Sequence, residues 1–518
     1  MLLKADILPG ITLQTVLLTG FGIFALLLAH AIFTLWKEST PVAGGFPIIG
    51  QEKVDLFNFK SKMTFAIRGR SAVEAAFKQF KNKPFQIPYH SGPALVLPIE
   101  QFDQIRNNPD LDMTGAALQD FFPSYPAFKP MRVSATSNSL QTMINKKLTP
   151  SLALITEPVN EENNIAIPER WPATKDWTRT KFVDELTSLI SQVSSRIFLG
   201  APLCRDAEWI RVGKDFTIDT MIASYAMRFT PSILRPIVYP FLPPVKRLER
   251  TNNLARRIIQ PEVDKRRANR AAALAKGEKI PKQLDTIDWL DDVVKSDPNY
   301  DYVGAQLSLT FAAIHTTSNT LGHLMYDVIE HSELIPELRQ EIIDAYTEDG
   351  SWQKTTLYKL KLMDSVMKES QRLNVLSNLF ITRYAKNAVT LEDGTVIPKR
   401  TRVFFPSLHM QSEEYYPQAD QFDGRRFLNL RNQPGNANKY QFVTTSSEHA
   451  GFGHGQHSCP GRFFASNEIK LIFAHLLMKF DWKFIDGRPA NPLPESNERV
   501  LDQNAEILYK SRTPEINF

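Results

Sequence analysis

Cysteine is nearly absent from this chain, with only Cys204 and Cys459 among 518 residues. One bridge between them would restrain so long a chain little, and a disulfide-stapled fold needs more, so free thiols in a reducing compartment are expected. A dominant charge is lacking as well. With 61 Lys and Arg against 56 Asp and Glu, the net charge is only +5, and no basic stripe interleaved with aromatics occurs. Nucleic acid is therefore not an expected partner. No internal repeat is visible.

One stretch lacks charge altogether. From Ile7 to Trp36 there is no Asp, Glu, Lys or Arg, and its core VLLTGFGIFALLLAHAIFTLW is longer than the ~20 apolar residues needed to cross a bilayer. A transmembrane anchor is expected over 7–36. Ala29-His30-Ala31 imitates a cleavage site, but the apolar run starts too early for a signal peptide and continues past it, so the anchor is read as uncleaved. Lys4 and Asp6 cancel on one side, whereas Lys37, Lys53, Lys60, Lys62, Arg68 and Arg70 follow on the other. That bias places the bulk of the chain in the cytosol. KESTPVAGGFPIIG, over 37–50, reads as a Pro/Gly hinge, with globular structure beginning near its Pro47 and the folded domain proper over 51–518.

What is present in quantity is proline and phenylalanine. Thirty-four Pro and 33 Phe in a chain that is 43% hydrophobic describe a large, loop-rich fold with an aromatic interior. PALVLP reads as a strand and IEQFDQIRNN as a helix. PEVDKRRANRAAALAKGEKIPKQ reads as a solvated basic helix with no function assigned. Helical patterns dominate from Thr178 to Arg372, and VGAQLSLTFAAIHTTSNTLGHLMYDVIEH is apolar nearly all round, as an interior helix would be. Gln306, His315, Asn319 and His323 argue against a second span there. Asp393-Gly394 within AVTLEDGTVIPK signals a hairpin. The expected fold class is mainly α with small β-sheets, behind an N-terminal transmembrane helix.

The second cysteine stands in FGHGQHSCPG, Phe452 to Gly461. Pro460 suits the first position of the helix that follows, which makes Cys459 its amino-terminal cap. There the dipole and free N–H groups favour a thiolate. Gly453, Gly455 and Gly461 remove side chains where backbone must approach a flat object. An axial thiolate ligand to haem iron needs this arrangement. A buried structural thiol, or a zinc site with His454 and His457, competes with it, although that spacing suits no common finger.

FGHGQHSCPG resembles the F-x-x-G-x-x-x-C-x-G signature of the cytochrome P-450 superfamily, with every fixed position present. ESQR places Glu369 and Arg372 three apart, similar to the family's E-x-x-R. FDGRRF is similar to its F-x-P-x-R-F, with Arg426 completing a Glu-Arg-Arg network and Gly424 replacing proline, which loosens that turn. AAIHTT resembles its A-G-x-D/E-T segment, with Ala312 and Thr316 stacked on one helical face and His315 where an acid is more usual.

The resemblance implies a cytochrome P-450 fold and a single haem-thiolate monooxygenase domain over 51–518. It further implies haem b with Cys459 as the metal ligand, beside Phe452 and Gly455. Arg383 and His457 match positions that bind haem propionates. The usual W-x-x-x-R partner is missing, since Gln141 and Asn145 stand where Trp and Arg would fall. Ala312, Thr316 and His315 would form the catalytic face, with the Thr316 hydroxyl holding oxygen and a proton-delivering water. The imidazole of His315 either relays protons or bonds within the helix. The implied partners are O2, NADPH-cytochrome P-450 reductase, membrane lipid and a small apolar substrate, in the endoplasmic reticulum membrane with the catalytic domain cytosolic. AAIHTTS with HSCPGRFFASNEIK is similar to fungal microsomal members of secondary metabolism, ent-kaurene oxidase-like, which oxidise terpenoid or meroterpenoid skeletons. Segments 118–128, 216–225 and 376–380 are expected to line an apolar, aromatic pocket. A haem-thiolate isomerase or dehydratase without a reductase, and a non-enzymatic haem or lipid binder, are the alternatives. Thr316 argues against both.

Overall fold

The computed structural model describes residues 6–8, 11–39, 45–52, 55, 58–81, 83–280, 282–379 and 381–516. The expected anchor over 7–36 is helical over Leu13–Ser39 (α1), while Asp6–Leu8 pairs antiparallel with Ile11–Thr12. The helix starts later than the apolar run because Pro9-Gly10, poor helix formers, precede it. A stretch of 24 residues, Gln14–Lys37, is long and apolar enough to cross a membrane, and none of its most apolar window is buried in the protein. Residues 40–44 of the hinge lie outside the described residues. Its far end is tied down: Gln86 N donates to Pro47 O at 2.8 Å and Ile49 N to Gln86 O at 3.0 Å.

After α2 (Phe59–Phe80) come strands β1 (Phe85–Ile87), β2 (Ala94–Val96) and β3 (Leu111–Asp112), with helix α3 (Thr114–Phe121) beyond them. IEQFDQIRNN, expected as one helix, is a 3-10 turn at Ile99–Gln101 running into the single turn Phe102–Ile105. The chain then continues through α4 (Leu152–Arg170), β4 (Thr178–Thr180), α5 (Phe182–Phe198), α6 (Ala207–Phe229), α7 (Pro243–Lys276) and α8 (Tyr302–Glu330). It ends with α9 (Lys361–Leu373), β5 (Ile381–Ala385), β6 (Arg402–Phe405), α10 (Arg462–Lys479), β7 (Phe480–Lys483) and β8 (Ile507–Ser511). The larger sheet has the order β1-β2-β6-β5-β3, antiparallel except for β2 beside β6, and the smaller runs β7-β8-β4.

Helix α8 threads the helical half, packed against α5, α6, α7, α9 and α10. Every residue from Tyr302 to Thr310 is buried, so its polar groups find protein partners rather than water. Ser308 Oγ donates to Pro130 O at 2.6 Å, Gln306 Nε2 to Thr286 Oγ1 at 2.8 Å, and Asp301 caps the helix through Gly304 N. This explains an all-round apolar helix without a second membrane span. The basic segment belongs to the long helix α7, which stops at Gly277 in the left-handed region. The Asp393-Gly394 hairpin pairs Val389 with Ile397 and Thr390 with Val396.

Candidate functional site

Cys459 sits where a long loop turns into α10. Its amide donates to Phe452 O at 2.7 Å, closing the loop into a compact turn. Gly453 and Gly455 hold φ of +67° and +74°, which L side chains avoid. The close approach at Gly455 is to protein: a Cβ there would lie 2.9 Å from Arg106 Cβ and 3.0 Å from Asn107 Oδ1. Phe452 packs edge-on against Phe442, ring centroids 5.0 Å apart.

The expected cap is displaced. Helix α10 starts at Arg462 with Gly461 as its cap, so Cys459 lies two residues farther out. Its sulfur still accepts from the Gly461 and Arg462 amides. Burial outweighs them, however, and pushes the thiol above its ordinary value. The helix end alone therefore does not make the thiolate; a bound cation would, by displacing the proton. The other cysteine is a contrast: Cys204 donates to Ala201 O at 3.1 Å and burial pushes its thiol up to about 12.

Behind this loop, the E-x-x-R pair closes into a brace. Glu369 and Arg372 are both 0% exposed, joined by two bonds of 2.8 Å. Arg426 Nε lies 3.1 Å from both Glu369 oxygens. Arg372 Nη1 donates to the Met410 and Ala419 carbonyls at 2.7 Å, and Arg426 Nη1 to Pro417 O at 2.6 Å. Gly424 does not loosen the turn, as expected from its replacing proline. A Cβ there would lie 2.8 Å from Leu334 and 3.1 Å from Val366, so glycine is what lets this turn pack against the helices.

Arg383, on β5, is a buried cation without an acid partner among the described residues. It is 2% exposed, lies over the Phe102 ring, and donates only to the Thr382 and His454 carbonyls at 2.8 and 3.5 Å. Its Nε has no partner among the described residues, and burial alone lowers its pKa to about 10. His457 faces this charge, which together with burial holds its imidazole below the usual range. The ring of His454, three residues before His457 in the loop, bonds Arg106 and Thr445 instead. A buried guanidinium with an orphaned N–H calls for an anion. A haem carboxylate fits that demand, and a thiol beneath two amides fits the metal end. Gln141 and Asn145 are exposed and offer no further propionate partner.

On α8, the Thr316 hydroxyl donates to Ala312 O at 2.7 Å, one turn back. His315 turns to a neighbouring helix: its Nε2 lies 2.8 Å from Lys214 O on α6, and burial lowers its pKa. No hydrogen bond joins His315 to Thr316 among the described residues. Phe311, next to Ala312, meets Phe121 at 5.2 Å and Phe216 at 6.4 Å, so the aromatic segments converge there. Phe380 lies outside the described residues. The expected lining is apolar and aromatic, and Asp120 within it belongs to a buried polar group with His90, Arg228 and Arg402, from four separate segments. Nothing contiguous in the sequence could have signalled that group, because each member belongs to a different element.

The family model for cytochrome P450 matches residues 130–510. The chain belongs to the cytochrome P450 family. It is 35% identical over 502 residues to cytochrome P450 monooxygenase adrA of Penicillium rubens, covering 96% of this chain and 97% of that one. It is 38% identical over 473 residues to hepE of Aspergillus oryzae, covering 90% and 86%, and 35% identical over 437 residues to a Gibberella fujikuroi P450 monooxygenase, covering 84% and 99%. This P450 is thus a monooxygenase of the haem-thiolate class, with the mainly helical fold expected of it.

Proposed function

We propose that this P450 is a membrane-anchored monooxygenase that takes electrons from an NADPH-dependent flavoprotein reductase and oxidises a terpenoid or meroterpenoid skeleton in a fungal secondary-metabolite pathway. The observation that carries it is the pairing of Cys459, under the first amides of α10, with the unmatched cation of Arg383. When bound, haem supplies the iron at which O2 is activated for insertion of one oxygen atom into a substrate C–H bond.

Cys459 would be the protein ligand of that iron, and Arg383 with His457 would hold the propionates. Thr316 Oγ1 passes a proton after exchanging its bond to Ala312 O for one to a water, and Ala312 leaves room beside it. The rings of Phe121, Phe216 and Phe311 exclude water and favour an apolar skeleton. Residues 51–518 act as one domain, and α1 holds it at the endoplasmic reticulum with the catalytic part cytosolic.

The deciding experiment is the carbon monoxide spectrum of the reduced full-length protein. Wild type and Cys204→Ser should show the red-shifted Soret band of thiolate-ligated haem, and Cys459→Ser should lose it. The same preparation with a reductase and NADPH, screened against terpenoid extracts by mass spectrometry, should yield products one oxygen heavier. Loss of the band in Cys204→Ser with retention in Cys459→Ser overturns the assignment.

A further inference from the structure

The brace around Glu369 leaves its sequence neighbour out. Lys368, on α9, is 2% exposed. Its Nζ donates to Thr444 O at 2.8 Å and lies 5.3 Å from the Phe427 ring centroid. An ammonium carries three N–H groups. Among the described residues Lys368 Nζ makes that one hydrogen bond and no ion pair, so two donors and a full charge are unspent. Asp364, one turn back, is already taken by Lys470 Nζ at 2.6 Å and the Phe442 amide at 2.8 Å. Burial brings the pKa of Lys368 down to about 7, and the Asp364 charge opposes that only in part. The amine therefore lacks the partner that would hold it charged.

Lys368 lines a cavity of about 470 Å³, room enough for a small organic molecule. Thr444 and Phe427, the two groups its nitrogen meets, line the same space. The lysine is buried, whereas Asp423, Lys439 and Glu448 of the lining are exposed, so the amine stands at the inner end of a cavity that opens to the surface. Cys459, Thr316 and Arg383 are not part of the lining, which separates this space from the haem and substrate site.

The walls are aromatic. Tyr415, Tyr416, Phe427 and Tyr440 contribute rings. The Tyr415 hydroxyl is spent on Glu100 at 2.6 Å and that of Tyr416 on Glu448 O at 3.1 Å, so these residues offer the cavity their ring surface. Tyr440 holds φ of +60°, a conformation that a bulky residue adopts at a cost. The charges around the cavity sum to that of the lysine. Behind it the brace sets two guanidiniums against Glu369, a surplus of one cation, and at the mouth Lys439 faces Asp423 and Glu448, a surplus of one anion. These cancel, and Lys368 is left over.

We propose that this cavity is a second ligand site, which takes a flat aromatic molecule bearing one carboxylate. The carboxylate accepts the unspent N–H groups of Lys368 at the inner end, and the aromatic body lies among the four rings. A single negative charge completes the balance, so a monoanion fits where a phosphate dianion would overshoot.

Equilibrium dialysis of the full-length, haem-loaded protein near neutral pH tests this with cinnamic acid and its neutral counterpart cinnamamide. The acid should bind about tenfold more tightly than the amide. Lys368→Met, close in length but uncharged, should abolish that preference and leave amide affinity within about twofold, whereas Lys368→Arg should retain part of it. Because Lys368 adjoins the brace, Leu430→Trp is the second probe. It fills the cavity from its lining without touching the charge, and should weaken both compounds about tenfold. The haem Soret band should not move when the acid is added, since neither Cys459 nor Thr316 lines the cavity. Equal affinity for acid and amide in wild type, survival of the preference in Lys368→Met, or unchanged binding in Leu430→Trp overturns the proposal. So does a Soret shift on adding the acid, which would place it in the substrate site.

Discussion

Two groups of buried arginines in this P450 follow opposite rules. In the brace, Glu369 neutralises Arg372 and supports Arg426, and five backbone carbonyls absorb the remaining N–H groups of the two guanidiniums. Arg383 is as deeply buried and has no carboxylate partner among the described residues. A buried charge that is fully paired is a structural fastening, costly to break because removing one partner strands the other. A buried charge left unpaired is costly to keep, and a fold retains it where a ligand completes it. The two groups should therefore respond in opposite directions to the loss of one side chain.

The largest effect is expected in the brace. Glu369→Ala strands Arg372, 0% exposed, and loosens Arg426, at a cost of about 3–5 kcal/mol. Expression should give apoprotein or aggregate rather than a slow enzyme. Soluble Glu369→Ala protein with stoichiometric haem and an unchanged melting temperature would show that the network is no fastening.

Arg383→Leu should do the reverse to the polypeptide. Removing an unpaired buried cation relieves a desolvation cost, so the haem-free protein should melt no lower than wild type and should gain stability if the leucine packs. Haem should be held less well. Transfer to a haem-scavenging globin should be about tenfold faster than from wild type. A variant with slower or unchanged haem loss would remove Arg383 from the propionate site and leave its unpaired Nε without a ligand to complete it.

Much of this contrast is legible in the sequence alone, and for a physical reason. The Cys459 loop and the Glu369–Arg372 pair are local: their function depends on residues within ten positions, so a motif carries them. Arg426 lies 57 residues from Glu369 yet carries its own flanking phenylalanines, which makes it readable. Helix α8 is readable from a surface that is apolar nearly all round. The cap at Cys459 is misplaced by two residues because Pro460 suits a first helical turn equally well as the turn that precedes one. Gly424 is misread because sequence shows that proline is missing but not that Leu334 and Val366 stand where a Cβ would go. The Asp120, His90, Arg228 and Arg402 group is invisible, since its members come from distant segments and each resembles an ordinary surface residue until folding buries it.

The smallest expected effect concerns His315, a single buried imidazole whose bond runs to the α6 backbone rather than to Thr316. Burial is the main cause that lowers its folded pKa, and the Lys214 carbonyl opposes it only in part. Below about pH 6.5 the unfolded chain binds a proton at this position that the folded chain resists. Unfolded protein then holds more protons than folded, so stability attributable to this residue is present above about pH 6.5 and declines as the pH falls below it. His315→Gln keeps a donor for the Lys214 carbonyl and cannot titrate. It should match the wild-type melting temperature at pH 7.5 and exceed it increasingly at pH 6 and 5.5, by at most about 1.4 kcal/mol per pH unit. Product formed per NADPH between pH 7 and 8 should be the same in both proteins, because the imidazole is already neutral there. A product yield that varies over pH 7–8 in wild type and becomes flat in His315→Gln would instead make the ring a proton relay, free to leave Lys214 during turnover.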